Sequence, residues 1–322
     1  MKPVSAAVLS EQLRVCVGAA AQAPSIHNTQ PWRFVLRPAA IELHADLRYR
    51  LAVIDPNARA LHVSCGAALL NLRLAVAAHG WHPRVLFMPD PGAPAHLATV
   101  YADRRGRVDG HDQRLAQAIW ARHTSREPFS ARPVPDAVRD RLCEAASREG
   151  ARLRFVDEDE RAALLSVVRT AEARLRRTAA YRGELAAWTA ADGRRDDGVP
   201  ASAFGGWSLM EILPLRDFAV GRPVVRRVAR FEAEPTIAVL SGFGDDAVDW
   251  VRAGMALELV LLEATASGLA TSLMTQPLDI PELRDLLAGR APLDVPQAIL
   301  RLGFGPPGAP TPRRPVQDVI ET

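Results

Sequence analysis

The chain has 322 residues, 48% of them hydrophobic and 24% charged, with a formal net charge of +3 at pH 7. This is the composition of a water-soluble globular protein with a large core, and the length suits two fused units of about 150 residues each. Interleaved acidic and basic residues exclude a dedicated nucleic-acid binder with a basic stripe, and three scattered cysteines exclude a disulfide framework.

The N-terminal stretch carries no basic-then-apolar leader, and no apolar run approaches the ~18–20 residues of a membrane span. A cytoplasmic protein without a membrane partner is therefore expected. The first helix is broken by Pro24 and Ser25, which open the loop APSIHNTQPWRF at residues 23–34. There Asn28 and Gln30 offer amide donors and acceptors, and Pro31-Trp32 starts a strand. Such a loop suits the edge and face of a planar heteroaromatic ligand. Taken alone, a plain helix-to-strand turn around a core tryptophan accounts for it better. Residues 59–79 (RALHVSCGAALLNLRLAVAAH) are apolar nearly all round. They predict a buried helix stopped by Gly80, with strands following at 84–88 and 96–101.

A junction is expected at residues 111–120. Beyond it, ARHTSREPF (121–129) sets Arg122 and Arg126 four apart, a helical spacing that would bring both guanidinium groups to one side. His123, Thr124 and Ser125 add donors. Arginine forks and hydroxyls suit a phosphate monoester, although a solvated basic turn is the commoner meaning of such a cluster. Between 181 and 206 glycine, aspartate, alanine and arginine dominate. A segment of that length without periodicity is expected to cover a site or to stay disordered. Residues 248–267 predict a second buried helix, stopped by Gly268 and followed by strands at 269–275 and 297–304. Gly303 to Gly308 matches a GxGxxG string, but prolines follow where a dinucleotide-binding fold needs a helix. His62 with Cys65, and His79 with His82, lack a second ligand pair, so no metal site is expected. The tail TPRRP (311–315) is a further source of arginines.

Helix, glycine, strand, strand thus occurs twice, which implies an internal duplication of one α+β unit. The expected halves are residues 1–115 and 116–322, the second carrying the 181–206 insertion. Two helices apolar all round bury best against each other, so the chain should be a pseudo-dimeric monomer, with further association left open.

PSIHNTQPW resembles the flavin loop P-S-S-x-N-x-Q-P-W of the FMN-dependent nitroreductases. RHTSREPF, followed by PVP, resembles their phosphate motif R-H/R-S-x-R/K-x-F, and LGFGPPGAPTPRRPVQDVI resembles their C-terminal segment ending in K-P-R-R-P. The resemblance covers the second half almost end to end and the first half from about Gln22. It implies a nitroreductase-like α+β fold and an FMN cofactor. By the same resemblance Pro24, Ser25, Ile26 and Asn28, with Gln30 in the same loop, would line the isoalloxazine. Arg122, His123, Thr124, Arg126 and Arg313 would hold the phosphate and ribityl chain. Leu273, Met274, Thr275 and Gln276 would face the N5 edge.

In ordinary members the phosphate motif precedes the loop within one subunit, and two subunits build two sites. Here only one complementary pair survives, which implies one FMN per chain, as in the fused, Acg-type branch. Thr275-Gln276 stands where the family commonly has Glu-Gly, and Thr311 stands where it has lysine. The implied activity is NAD(P)H-dependent two-electron reduction of a small conjugated acceptor, such as a nitroaromatic or quinone, with no catalytic side chain required. The rivals are a flavin-sequestering protein whose 181–206 segment forms a lid, and a dehydrogenase acting on a partner-delivered substrate.

Overall fold

Alternation in the sequence builds the first sheet. In β1 (Trp32–Arg37) and β2 (Ala40–Ala45), Trp32, Phe34, Ile41 and Leu43 turn inward and are fully buried, while Arg33, Glu42 and His44 turn outward. A two-residue turn joins these strands. The helix α1 (Ala6–Ala20) precedes them, and α2 (Arg59–Ala78) follows, its first turn capped by Asp55, whose carboxylate accepts from Ala60 and Leu61 N–H at 2.9 Å each. Then come β3 (Arg84–Phe87) and β4 (His96–Tyr101). The computed structural model describes residues 6–190, 195–207, 213–220, 224–288 and 294–321.

The second half repeats this plan. After α3 (Gly110–Ala121) and α4 (Asp136–Arg148) comes β5 (Arg152–Phe155), then α5 (Glu158–Arg177), α6 (Ala179–Ala187), β6 (Thr189–Ala190) and β7 (Val199–Pro200). The chain resumes the sheet at β8 (Thr236–Gly242), then α7 (Ala247–Ala266), β9 (Ala270–Leu273), α8 (Pro281–Leu287) and β10 (Val295–Gly303). It closes with α9 (Val316–Val319) and β11 (Ile320–Glu321). The first sheet runs β11-β1-β2-β4-β3 and the second β5-β8-β10-β9. Leaving out β11, each is antiparallel, with its strands in the order first, second, fourth, third and its long helix between second and third. The fold is α+β. β11 crosses over to pair in parallel with β1.

Where the sequence suggests a junction, residues 111–120 lie inside α3, which packs on both α2 and α7. Between the two sheets the chain thus passes through helices rather than a linker. The connection β5-to-β8 spans residues 156–235, whereas its counterpart β1-to-β2 is the two-residue turn; the extra segment is thus confined to one half.

The core is centred on α2 against α7. Each has 20 residues, and they touch at Gly66 and Gly254, 188 positions apart. A Cβ on Gly66 would lie 2.0 Å from the Val251 carbonyl oxygen, and one on Gly254 2.0 Å from that of Val63. Val63 and Val251 are again 188 apart, as are the helix-stopping Gly80 and Gly268, both at positive φ (78° and 75°). By length and composition α2 is apolar enough to cross a membrane, with mean hydropathy 1.5, contrary to the expectation above. Its hydrophobicity is spent inside the fold, where 72% of that window is buried.

Candidate functional site

A cavity opens between elements from the early and late parts of the chain. Its wall takes Pro24, Ser25, Ile26 and Asn28 from the loop after α1, and Arg122, His123, Thr124 and Arg126 from the segment after α3. Leu273 ends β9, Thr275 follows it, and Arg313 comes from the tail. Eleven of the fourteen residues singled out in the sequence therefore share one cavity. Three lie behind its wall. Met274 is fully buried in a separate apolar cluster, and Gln276 turns its amide to the Pro214 carbonyl at 3.1 Å. Gln30 donates to Asp196 O at 2.8 Å and accepts from Arg314 N–H at 2.8 Å, so it fastens segments together.

The loop is bent by force. His27, Asn28 and Gln30 all adopt left-handed backbone (φ 47°, 55° and 51°), a conformation that ordinary residues hold only when neighbours impose it. Asn28 supplies much of that restraint. Its Nδ2 donates to Gly198 O at 2.9 Å and Pro312 O at 3.0 Å, and its Oδ1 accepts from Arg313 at 2.9 Å. Ser25 Oγ accepts from Gln30 N–H at 3.0 Å, and Ser64 Oγ on α2 from Ile26 N–H at 3.1 Å.

The arginines divide into two groups, which the helical spacing did not foretell. Residues 122–126 are not helical, and Ser125 N–H bonds Thr271 O at 2.8 Å instead. Arg122 reaches the Gln22 carbonyl at 3.0 Å and Glu258 at 3.4 Å. Arg313 joins it there, donating to Gln22 O at 3.1 Å and to the Thr311 hydroxyl at 2.6 Å. Burial, with Arg122 beside it, pushes the Arg313 pKa down to about 9. A guanidinium stays charged at neutral pH, so the depression reports a desolvated cation short of an anion. The same causes lower His123. This pole attracts negative charge.

Arg126 points elsewhere, to Ala203 O at 2.8 Å, with its guanidinium 4.6 Å from the Phe218 ring centre. Burial and the facing Arg216 push its pKa down to about 10. Arg216 bonds Tyr181 at 3.0 Å and pairs with Asp279; burial opposes its charge, but Tyr181, Asp279 and Glu172 outweigh it and raise the pKa. His27 lies edge-on to Phe218 at 5.4 Å, with neither ring nitrogen hydrogen-bonded among the described residues. Burial, then Arg216 and Arg126, keep it neutral.

Arg59, Arg216, Asp279, His27 and Phe218 were not singled out in the sequence. Only Arg59 left a signal: it opens an apolar helix, against the macrodipole, and donates to Gln297 Oε1 at 3.1 Å. The 181–206 segment contributes Val199 to the wall, and Phe218 and Arg216 extend the insertion beyond it. Trp188 and Phe204 of that stretch, and Trp207 just after it, stay off the wall; Phe204 stacks behind Phe218 at 6.1 Å. Residues 191–194 lie outside the described residues.

A second cleft sits at positions related to the first by the same 188-residue offset. Ser64, Ala67, Leu273 and Thr275 line the cavity; their counterparts Arg252, Met255, Val85 and Phe87 line the cleft. Larger side chains line it than line the first, with Arg252 lying 5.3 Å from the Phe87 ring centre. The turn Glu149–Ala151 replaces the loop, and Glu149 pairs with Arg73 at 3.0 Å. Away from both, Glu42, His44 and His96 bring three ligand-type atoms within 4.8 Å on the outer sheet face, where Arg37 already bonds both Glu42 oxygens.

A family model described as the Nitroreductase family matches residues 119–304. A Mycobacterium tuberculosis protein provisionally named NAD(P)H nitroreductase acg is 32% identical, over 97% of this chain and 96% of its own. Another from that organism, also provisionally named an NAD(P)H nitroreductase, is 36% identical over 97% of this chain and 92% of its own. Among solved structures, a nitroreductase with bound FMN from Bacteroides fragilis aligns with 62% of this chain and 93% of its own, at 17% identity and TM-score 0.35.

Proposed function

As the chain belongs to the nitroreductase family, we propose that it holds one FMN in this cavity and serves as an NAD(P)H-dependent reductase of a small conjugated acceptor. The observation that carries this reading is the cationic Arg122–Arg313 pole, Arg122 buried and Arg313 half-buried, set across one cavity from the Pro24–Asn28 loop. A phosphate monoester supplies the charge that the pole lacks, and the strained loop presents an apolar face with amide edges. The residues present fit the cofactor. Residues 1–115 contribute the loop and residues 116–322 the arginines, in keeping with a duplicated unit of which one site was kept.

Arg122, His123, Thr124 and Arg313 would hold the phosphate end. Thr311, where the family has lysine, orients Arg313 through its hydroxyl. Arg126 passes in this reading from the phosphate to the ring end, where with Arg216 it opposes negative charge gathering on the bound ring. Bound there, FMN supplies the two-electron chemistry, so the protein needs no nucleophile of its own. Purified protein should carry one FMN per chain, and stopped-flow mixing with NADPH should bleach its absorbance. Two FMN per chain, or FAD on extraction, would overturn the assignment.

One observation favours sequestration as a second reading. Gly198 exchanges bonds with Asn28 (N–H to O, 3.1 Å), and Val199 and Phe218 wall the cavity, so the insertion is fastened to the loop as a lid. Phe218→Ala should then speed oxidation of the reduced protein by a bulky quinone several-fold while FMN affinity holds. An unchanged rate would remove the lid as a barrier and leave the reductase reading favoured.

A further inference from the structure

The middle of α7 carries a carboxylate with no exposed surface, Glu258. Burying such a group is among the costliest choices a fold can make unless partners surround it. Glu258 has few. Neither oxygen meets hydrogen-bond geometry with any described residue, and its ion pair with Arg122 Nε is long at 3.4 Å. From α2 the Asn71 amide faces it closely enough to favour its charge, although among the described residues the pair falls outside strict hydrogen-bond geometry. The charged groups acting on Glu258 are Arg122, at the end of α3, and Arg313, on the tail; α2 brings only the neutral Asn71. A carboxylate so poorly solvated is held mainly by charge, from the two cations assigned above to the phosphate, with the Asn71 amide beside them.

We propose that Glu258 is the resident counter-ion of the Arg122–Arg313 pole, ionised above neutral pH while no ligand is there and protonated from solvent when a phosphate monoester dianion enters. The inference rests on the reading of the cavity as an FMN site. Two guanidinium groups facing one carboxylate leave a net positive pole. A dianion arriving beside an ionised Glu258 would turn it net negative in a desolvated pocket; one proton on the carboxylate restores neutrality. The proton is available near neutrality, because burial raises the Glu258 pKa to about 7 against the pull of Arg122, Asn71 and Arg313. The sign follows. Below pH 7 the carboxyl is already protonated and the phosphate enters without proton exchange. Above it each pH unit weakens binding by up to about tenfold, the free-energy equivalent of one pKa unit.

The test uses full-length apoprotein. FMN and riboflavin are titrated between pH 6.5 and 8.5 by flavin fluorescence. Calorimetry at pH 8 in two buffers of different ionisation enthalpy counts protons, at a pH where the free phosphate is already largely dianionic. The expected result is uptake of nearly one proton with FMN and none with riboflavin. Glu258→Gln, which mimics the protonated form, should flatten the FMN profile and bind FMN more tightly than wild type at pH 8.5. Wild-type binding without proton uptake, or an unchanged slope in the glutamine variant, overturns the proposal. Should that variant fail to fold, the wild-type proton count decides alone. Absence of FMN binding at every pH would instead overturn the cofactor reading, and this inference with it.

Discussion

Arg313→Ala should weaken FMN about a hundredfold and riboflavin no more than about threefold, since one buried charge-assisted bond is worth ~1.5–3 kcal/mol. Arg313 is a strongly desolvated cation of the cavity, with burial and Arg122 working against its charge and Glu258 only partly offsetting them. Removing it takes away a phosphate contact and also one restraint on the loop. The loop keeps its other ties, because Asn28 still donates to Gly198 O and Pro312 O. That is why the ring-bearing half of the ligand should lose little. Parallel fluorescence titrations of the two flavins decide the matter, and equal losses would place Arg313 away from the phosphate.

Gly66→Ala should destabilise the fold by about 3 kcal/mol or more, at the upper end of overpacking effects, and Gly66→Val should leave no soluble protein. The added methyl would stand 2.0 Å from a carbonyl oxygen on α7, a clash with backbone that no rotamer relieves. Only a wider separation of the helices removes it, which would open the densest part of the core. Gly183 provides the contrast. It lies inside α6 with open space around it, so Gly183→Ala should stabilise by about 0.4–1 kcal/mol through the unfolded chain. Urea unfolding of both variants checks the pair; equal behaviour would mean the α2–α7 crossing yields easily.

Much of this architecture could be read from the residues. Gly80 and Gly268 stop the two helices at the positions their positive φ requires, and the strands after them were found because their apolar runs are short and bounded. The cavity gathered its residues because each motif carries its own chemistry. What failed depended on contacts that spacing cannot express. Arg122 and Arg126 stand four apart, but Thr124 pairs with Thr271 in a strand-like bridge closed by the Ser125 N–H, so the arginines diverge. Gln30 has the donors of a ligand-binding amide, and tertiary partners at Asp196 and Arg314 claim them. Arg216 and Phe218 sit in an irregular stretch without periodicity, and only the folded chain reveals that they reach the wall.

The α2–α7 crossing also sets a schedule for biosynthesis. Gly66 and its partner Gly254 are 188 residues apart, and at a synthesis rate of roughly 5–20 residues per second the first helix waits about 10–40 s for the second. During that interval a helix apolar on nearly every side has leaves of sheet on one side and nothing on the other. The nascent chain is therefore a client for holding chaperones, and slow translation between the two helices would increase aggregation more than slow translation after them. The cofactor must wait longer still, since Arg313 emerges after α7 and the anion pole is incomplete until it does.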